Sequence, residues 1–330
     1  MCGDEKWFGS WCFRKGAKST IGSRYFRFCN RKWLTPESHF RLDGVFLAGL
    51  IFGAKDNRCQ SRELIILSKI IRQFTRHFAV LLFGVVVLPA AAFQPLITDD
   101  TGTQGALGNQ FEFAFDRDRI RMAGNTTGVR TLPFTATRGL TDSLDIFLGI
   151  SHVRIDGNAP GSNVSGSGNP VLGAKWRLLE TADSKTSIGF KPEFVLPVSA
   201  TREAAGLGTG RASWNLTLIV TQEIPFGAVH ANLATGRNRF RDSAAPDITT
   251  RLASVAPVWD VTPKWKLALD AGVVSAKAGG VKTRSRFIEL GAIHSLSDAL
   301  DFALGFVRAR DSAVPHTNTD SATIGVTWRF

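Results

Sequence analysis

The sequence has no apolar run of the roughly 20 residues that a membrane-spanning helix needs. Phe78 to Leu88 gives only eleven. Cysteine is confined to Cys2, Cys12, Cys29 and Cys59. No two of these have the Cys-x-x-Cys spacing of zinc or redox chemistry, and the cysteine-free remainder is compatible with export to an oxidising compartment. Tyrosine occurs once, at Tyr25, and methionine only at Met1 and Met122. The formal charge of +12 over 330 residues would suit a nucleic-acid binder. Nine of those net charges fall within residues 1–92, however. Residues 93–330 have no clustered basic face interleaved with aromatics, so nucleic acid is not expected as a partner.

The region before Phe93 reads as a precursor segment. Lys69, Arg72, Arg76 and His77 form a basic stretch, Phe78–Leu88 an apolar core, and Pro89-Ala90-Ala91-Ala92 a small-residue ending. This is the three-part layout of a secretory signal peptide, with cleavage expected after Ala92. The signal is assigned to residues 67–92. Residues 1–66 show no helical or strand period and are expected to be absent from the mature protein. A non-Met start near Leu64 or Leu67 would give a signal of ordinary length.

Beyond Ala92 the dominant pattern is alternation. Ala322, Ile324, Val326, Trp328 and Phe330 share one face of the last segment, while Ser321, Thr323, Gly325, Thr327 and Arg329 share the other. A period of two is the signature of a strand with two unlike faces. Twelve such segments are expected, at about 108–117, 127–138, 144–153, 169–180, 186–197, 211–223, 227–236, 249–260, 265–274, 284–295, 300–309 and 320–330. Each is close to the roughly 9–11 residues of a tilted membrane strand. Five short turns alternate with six longer loops, among them Arg119–Thr126, Asp156–Gly168, Ala200–Gly210 and Ser275–Thr283. The expected fold is therefore all-β: a transmembrane antiparallel up-and-down β-barrel of about 12 strands over residues 108–330, preceded by an N-terminal periplasmic segment, 93–107. Trp214, Trp259, Trp265, Trp328 and Phe330 near strand ends supply the aromatic girdle in a region without tyrosine.

Under this alternation Glu112, Asp116, Asp145, Lys175, Arg177, Lys191, Glu193, Lys266, Asp270, Glu289, Asp301 and Arg329 project inward. Facing lipid they would cost ~2–4 kcal/mol each at the midplane, less toward the interfaces. They could line a polar pore or form a salt-bridged plug; their mixed signs argue against strong ion selectivity. Phe330 is expected to serve as an assembly signal read by the barrel assembly machinery.

Gln94-Pro-Leu-Ile-Thr-Asp-Asp-Thr-Gly-Thr-Gln-Gly105, the turn Gly139-Leu-Thr-Asp-x-Leu-Asp145 and the ending Gly325-Val-Thr-Trp-Arg-Phe330 resemble an outer-membrane family labelled for a meta-pathway of phenol degradation. The resemblance covers about residues 94–330. It implies a transporter-like barrel in the cell outer membrane that passes small, often aromatic, compounds, with membrane lipid and a small-molecule solute as partners. The rival reading is a non-transporting barrel with a structural, adhesive or embedded-enzyme role.

Enzyme motifs are poor. His152, His230 and His294 lie on different segments without His-x-x-x-His or Glu-x-x-His spacing, so no metal or cofactor is expected. Ser151-His152 and His294-Ser295 are neighbours on a strand and point to opposite faces. Neither pair can therefore act as nucleophile and base, and the protein is not expected to be an enzyme. Gly161–Gly168 lacks the Gly-Lys-Ser/Thr ending of a phosphate loop. Asp99-Asp100 reads as a capped turn ahead of the first strand in preference to a cation site.

Overall fold

The computed structural model describes residues 94–157 and 163–330. In a separate unit, Met1–Asp56, it also describes a two-residue ladder, Trp7–Phe8 paired with Trp11–Cys12. The rest of the expected extension, and the expected signal segment 67–92, lie outside the described residues.

Twelve long antiparallel strands form one closed barrel. They are β1 (Asn109–Met122), β2 (Asn125–Thr141), β3 (Leu144–Asp156), β5 (Val171–Glu180), β6 (Thr186–Val195) and β7 (Arg211–Ile224), then β8 (Gly227–Arg239), β9 (Ile248–Thr262), β10 (Trp265–Ala278), β11 (Val281–Ser297), β12 (Leu300–Asp311) and β13 (Thr317–Arg329). Each pairs with its neighbour in sequence, and β13 closes the ring on β1. At that seam the Asn109 N–H donates to the Phe330 carbonyl at 2.9 Å and Phe330 N–H returns a bond at 3.0 Å. A thirteenth strand, β4 (Val164–Ser167), pairs only with the loop end of β3. A single helical turn, α1 (Ala200–Ala204), lies in the β6–β7 loop. Among the described residues no helix is long and apolar enough to cross a membrane; the strands do so.

Exposure gives each strand its two faces. Phe113, Leu304, Phe306 and Ile324 are 50–56% exposed, whereas Glu112, Asp145, Lys191, Glu193, Asp270 and Glu289 are at most 7% exposed. Apolar side chains thus face out and charged ones in, the reverse of a soluble sandwich. At the rim where β1 begins and β13 ends, the Phe330 ring lies 4.7 Å from Trp328 and 5.1 Å from Phe111, and Trp265 stacks on His294 at 4.4 Å. Rings of this kind sit where lipid meets water. Every turn at this rim is short, whereas the three longest connections, β3–β5, β6–β7 and β8–β9, lie at the other, which makes this the periplasmic end and that the extracellular one.

Two expected loops are corrected. Arg119–Thr126 and Ser275–Thr283 are mostly strand, since β1 and β2 are joined by Ala123-Gly124 alone and β10 and β11 by Gly279-Gly280. Both turns hold two residues at positive φ (49° and 82°, 55° and 86°). That matches the twist of the flanking strands and favours glycine. The strands therefore run past the apolar belt, where their outward residues become polar and the apolar row no longer marks them.

Candidate functional site

Of the segment 93–107 expected as periplasmic, the described residues, 94–107, do not hang below the barrel. From Gln94 onward the chain crosses its interior, and the inward carboxylates hold it there. The Ile97 N–H donates to Glu289 Oε2 at 3.1 Å, and the Thr98 N–H to Asp270 Oδ2 at 2.7 Å. The Thr98 hydroxyl lies 2.7 Å from both Asp270 Oδ1 and Ser254 Oγ. Farther along, Thr101 N–H donates to Thr221 Oγ1 at 3.2 Å, and Gln104 N–H reaches both Asp145 oxygens at 3.0 and 3.1 Å. The Ala106 N–H donates to Asp142 Oδ1 at 3.0 Å, back at the periplasmic rim. An extended backbone away from water needs a partner for each N–H. Wall carboxylates supply them for Ile97, Thr98, Gln104 and Ala106, and the Thr221 hydroxyl does so for Thr101.

Asp99 is the centre of this arrangement. It is 3% exposed, and its two oxygens accept from Lys175 Nζ at 2.9 Å and Lys191 Nζ at 2.7 Å. Lys191 also lies 3.8 Å from Glu193 and 5.3 Å from the Phe147 ring centroid. Burial alone would raise the Asp99 carboxyl, but the two lysines outweigh it and hold the group below the ordinary carboxylate range. The Asn232 amide brackets the same residue, donating to its carbonyl at 3.0 Å and accepting from its N–H at 2.7 Å. Asp99 is therefore an ion-pair hub, and the local capping expected of Asp99-Asp100 accompanies it: the Asp100 N–H donates to Asp99 Oδ1 at 2.9 Å and the Gly102 N–H to Asp100 Oδ1 at 2.6 Å.

The upstream end of the segment lies on a shelf of small residues. A Cβ at Gly305 would come within 2.8 Å of Pro95, and one at Gly291 within 2.9 Å of Leu96. Gly291 and Gly305 are direct cross-strand partners. Leu96 packs with Ala256, Val258 and Ala268, which form the apolar cluster of the interior. Because these two wall positions are glycine, the Pro95 ring and the Leu96 side chain can lie against them.

The residues singled out in the sequence divide into two groups. Glu112, Asp145, Lys175, Lys191, Glu193, Asp270 and Glu289 surround the segment, all but Lys175 at most 7% exposed. Asp116, outside both groups, accepts from the Thr323 hydroxyl at 2.8 Å. Arg177, Lys266, Asp301 and Arg329 lie toward the periplasmic mouth. There Lys266 pairs with Asp260 at 2.6 Å, Arg329 with Asp301 at 2.7 Å and Arg177 with Glu180 at 3.4 Å. Thr98 and Asp99 were missed as partners of these charges. On the extracellular side Glu203 accepts from the Gly210 and Arg241 N–H groups at 3.0 and 2.7 Å, fastening the β6–β7 loop to the β8–β9 loop. Of the histidines, His152 faces outward and His230 is buried, bonded to Thr221 at 3.0 Å. Among the described residues no cluster of three or more His, Cys, Asp or Glu could hold a metal.

The closed strand ring, the apolar outer belt and the aromatic periplasmic rim define an outer-membrane β-barrel. The chain belongs to the family described as "Putative MetA-pathway of phenol degradation", which matches residues 100–330. Its fold is similar to that of the COG4313 outer membrane channel from Pseudomonas putida F1, with a TM-score of 0.57 and 15% identity over 70% of this chain and 98% of that one. The translocator domain of the autotransporter NalP from Neisseria meningitidis gives a TM-score of 0.41 and 12% identity over 69% of this chain and 90% of that one. The CymD monoaromatic hydrocarbon channel gives 0.39 and 10% over 69% and 89%. No curated protein matches the sequence.

Proposed function

We propose that the barrel passes small solutes, aromatic compounds among them, across the outer membrane, and that the segment from Gln94 to Ala106 decides when the way is open. The observation that carries this reading is how the segment is held. Its contacts with the wall are mainly ion pairs and N–H to carboxylate bonds, with Leu96 alone contributing to the apolar cluster. Water can replace each polar partner when the segment leaves, and the charged wall left behind is hydratable. A purely structural barrel filled by an apolar core would have no comparable exit. The family's link to phenol degradation favours small aromatic solutes, and the likeness to the Pseudomonas putida outer membrane channel favours passage. No catalytic step is assigned.

A reversible lock tests this. The Thr98 and Ser254 hydroxyl oxygens lie 2.7 Å apart, and no native cysteine follows Cys59. T98C/S254C should therefore form a disulfide that ties the segment to β9. Planar-bilayer conductance and liposome uptake of phenol should be low in the oxidised protein and rise on reduction. Equal conductance and uptake in fully cross-linked and reduced protein would refute the role of the segment.

A further inference from the structure

Outside the barrel, the outward rows that carry apolar residues through the membrane continue toward the extracellular end as arginines. On β1 the row Phe111, Phe113, Phe115 runs on into Arg117, Arg119 and Arg121. On β12, Leu304 and Phe306 are followed by Arg308 and Arg310. Arg130 on β2, Arg154 on β3, and Arg284 and Arg286 on β11 complete the face. These six strands, β3–β2–β1–β13–β12–β11, are contiguous in the sheet. Beyond these strands single outward cations continue on β10, β9 and β8, at Lys277, Arg251 and Arg237, whereas the outward rows of β5 and β6 carry Leu172, Trp176, Phe190 and Phe194 with no cation.

The register brings like charges together. Arg117, Arg130 and Arg154 stand side by side across three strands, and Arg286 stands opposite Arg310. Like charges directly opposite one another destabilise a sheet. Asp156 meets Arg130 at 2.8 Å and Arg154 at 2.9 Å, and Asp320 meets Arg121 and, at 3.7 Å, Arg308. Arg119 stands opposite Asp320 in the ladder, but among the described residues no carboxylate lies within 4 Å of the guanidinium of Arg117, Arg119, Arg284, Arg286 or Arg310. Nine guanidinium groups thus share two aspartates on a rigid surface directly above the lipid belt. They point away from the lumen and serve no solute inside it.

We propose that this face binds the phosphate groups of outer-leaflet lipid, the phosphorylated disaccharide of lipopolysaccharide. The position is where a headgroup lies when its acyl chains pack against Phe113, Phe115, Phe306 and Ile324. The residue type fits as well, because a guanidinium fork pairs with phosphate oxygens two at a time whereas an ammonium offers a single point charge. A phosphate between Arg117 and its neighbours also removes the repulsion that the register builds in.

Mature protein extracted from membranes and stripped of lipid would be titrated with lipopolysaccharide, with enzymatically dephosphorylated lipopolysaccharide, and with inorganic phosphate. Native mass spectrometry would read bound lipid, and heat-modifiable migration would report folding. Phosphorylated lipid should bind at least about tenfold more tightly than either of the others. R117Q/R119Q/R310Q should lose most of that preference, R117K/R119K/R310K should lose less, and K185Q/K264Q at the periplasmic turns should lose none. Equal binding of the dephosphorylated lipid by the unmodified protein, or of free phosphate, would overturn the proposal. So would unchanged affinity in the folded glutamine variant.

Discussion

Lys175 and Lys191 stand on adjacent strands and aim their ammonium groups at the two oxygens of Asp99. Removing one partner of a buried ion pair costs roughly 3–5 kcal/mol, because the other charge stays behind uncompensated. Asp99→Asn is therefore expected to lower the unfolding midpoint of the heat-modifiable barrel, and to raise its conductance by loosening the segment. Asp183→Asn, on the exposed β5–β6 turn, should change neither. Asp99 is held below its ordinary value of 3.8, so its stabilisation is complete above the unfolded pKa and fades as pH falls through the lower folded one. The stability gap between parent and Asp99→Asn should stay constant from neutral pH to about 4 and close only below that. Melting both proteins across this range checks it; a gap that closes near pH 6 would assign the effect to another group. Alternation gave the faces of Lys175, Lys191 and Glu193 but not what lies against them. Two inward lysines with one nearby glutamate were the available signal that another acid must arrive, and Thr98-Asp99-Asp100 supplies it.

The twelve strands were legible because their outward rows are apolar and their inward rows polar, and each expected segment lies on an observed strand. Their extracellular ends were not legible. Beyond the belt both rows become polar, so the Arg119–Thr126 stretch looked like a loop although its backbone stays paired. The segment before β1 was illegible for a different reason: it has no regular period, and its structure is imposed by the wall. Phe330 belongs to this scale too. Its backbone completes the seam and its ring joins Trp328 and Phe111 at the periplasmic rim. Deleting Phe330 should reduce heat-modifiable, membrane-inserted protein more than Phe306→Ala, which removes one ring from the open belt. Quantitative gels of outer-membrane fractions decide this, and equal yields would remove the role given to the residue.

For the molecule as a whole, the position of Gln94 bears on processing. Gln94 and Pro95 already lie against the inner wall at Gly325 and Gly305, and cleavage after Ala92 leaves a single residue ahead of them. The mature protein is expected to begin at Phe93, which N-terminal sequencing of membrane-extracted material would show; peptides from residues 1–60 attached to the barrel would contradict it. The seam between β1 and β13 has a consequence in time. Its partners, Asn109 and Phe330, are 221 residues apart in the chain, whereas every other barrel pairing joins consecutive long strands. Local hairpins can form early, but the distant pairing must await the synthesis of β13 and bears the largest loop-closure entropy. Until it forms, the sheet keeps two unpaired edges, each able to recruit a foreign strand. The nascent chain is therefore most vulnerable to aggregation in the interval before that one latch engages, and its rate of closing governs how long a helper must guard it.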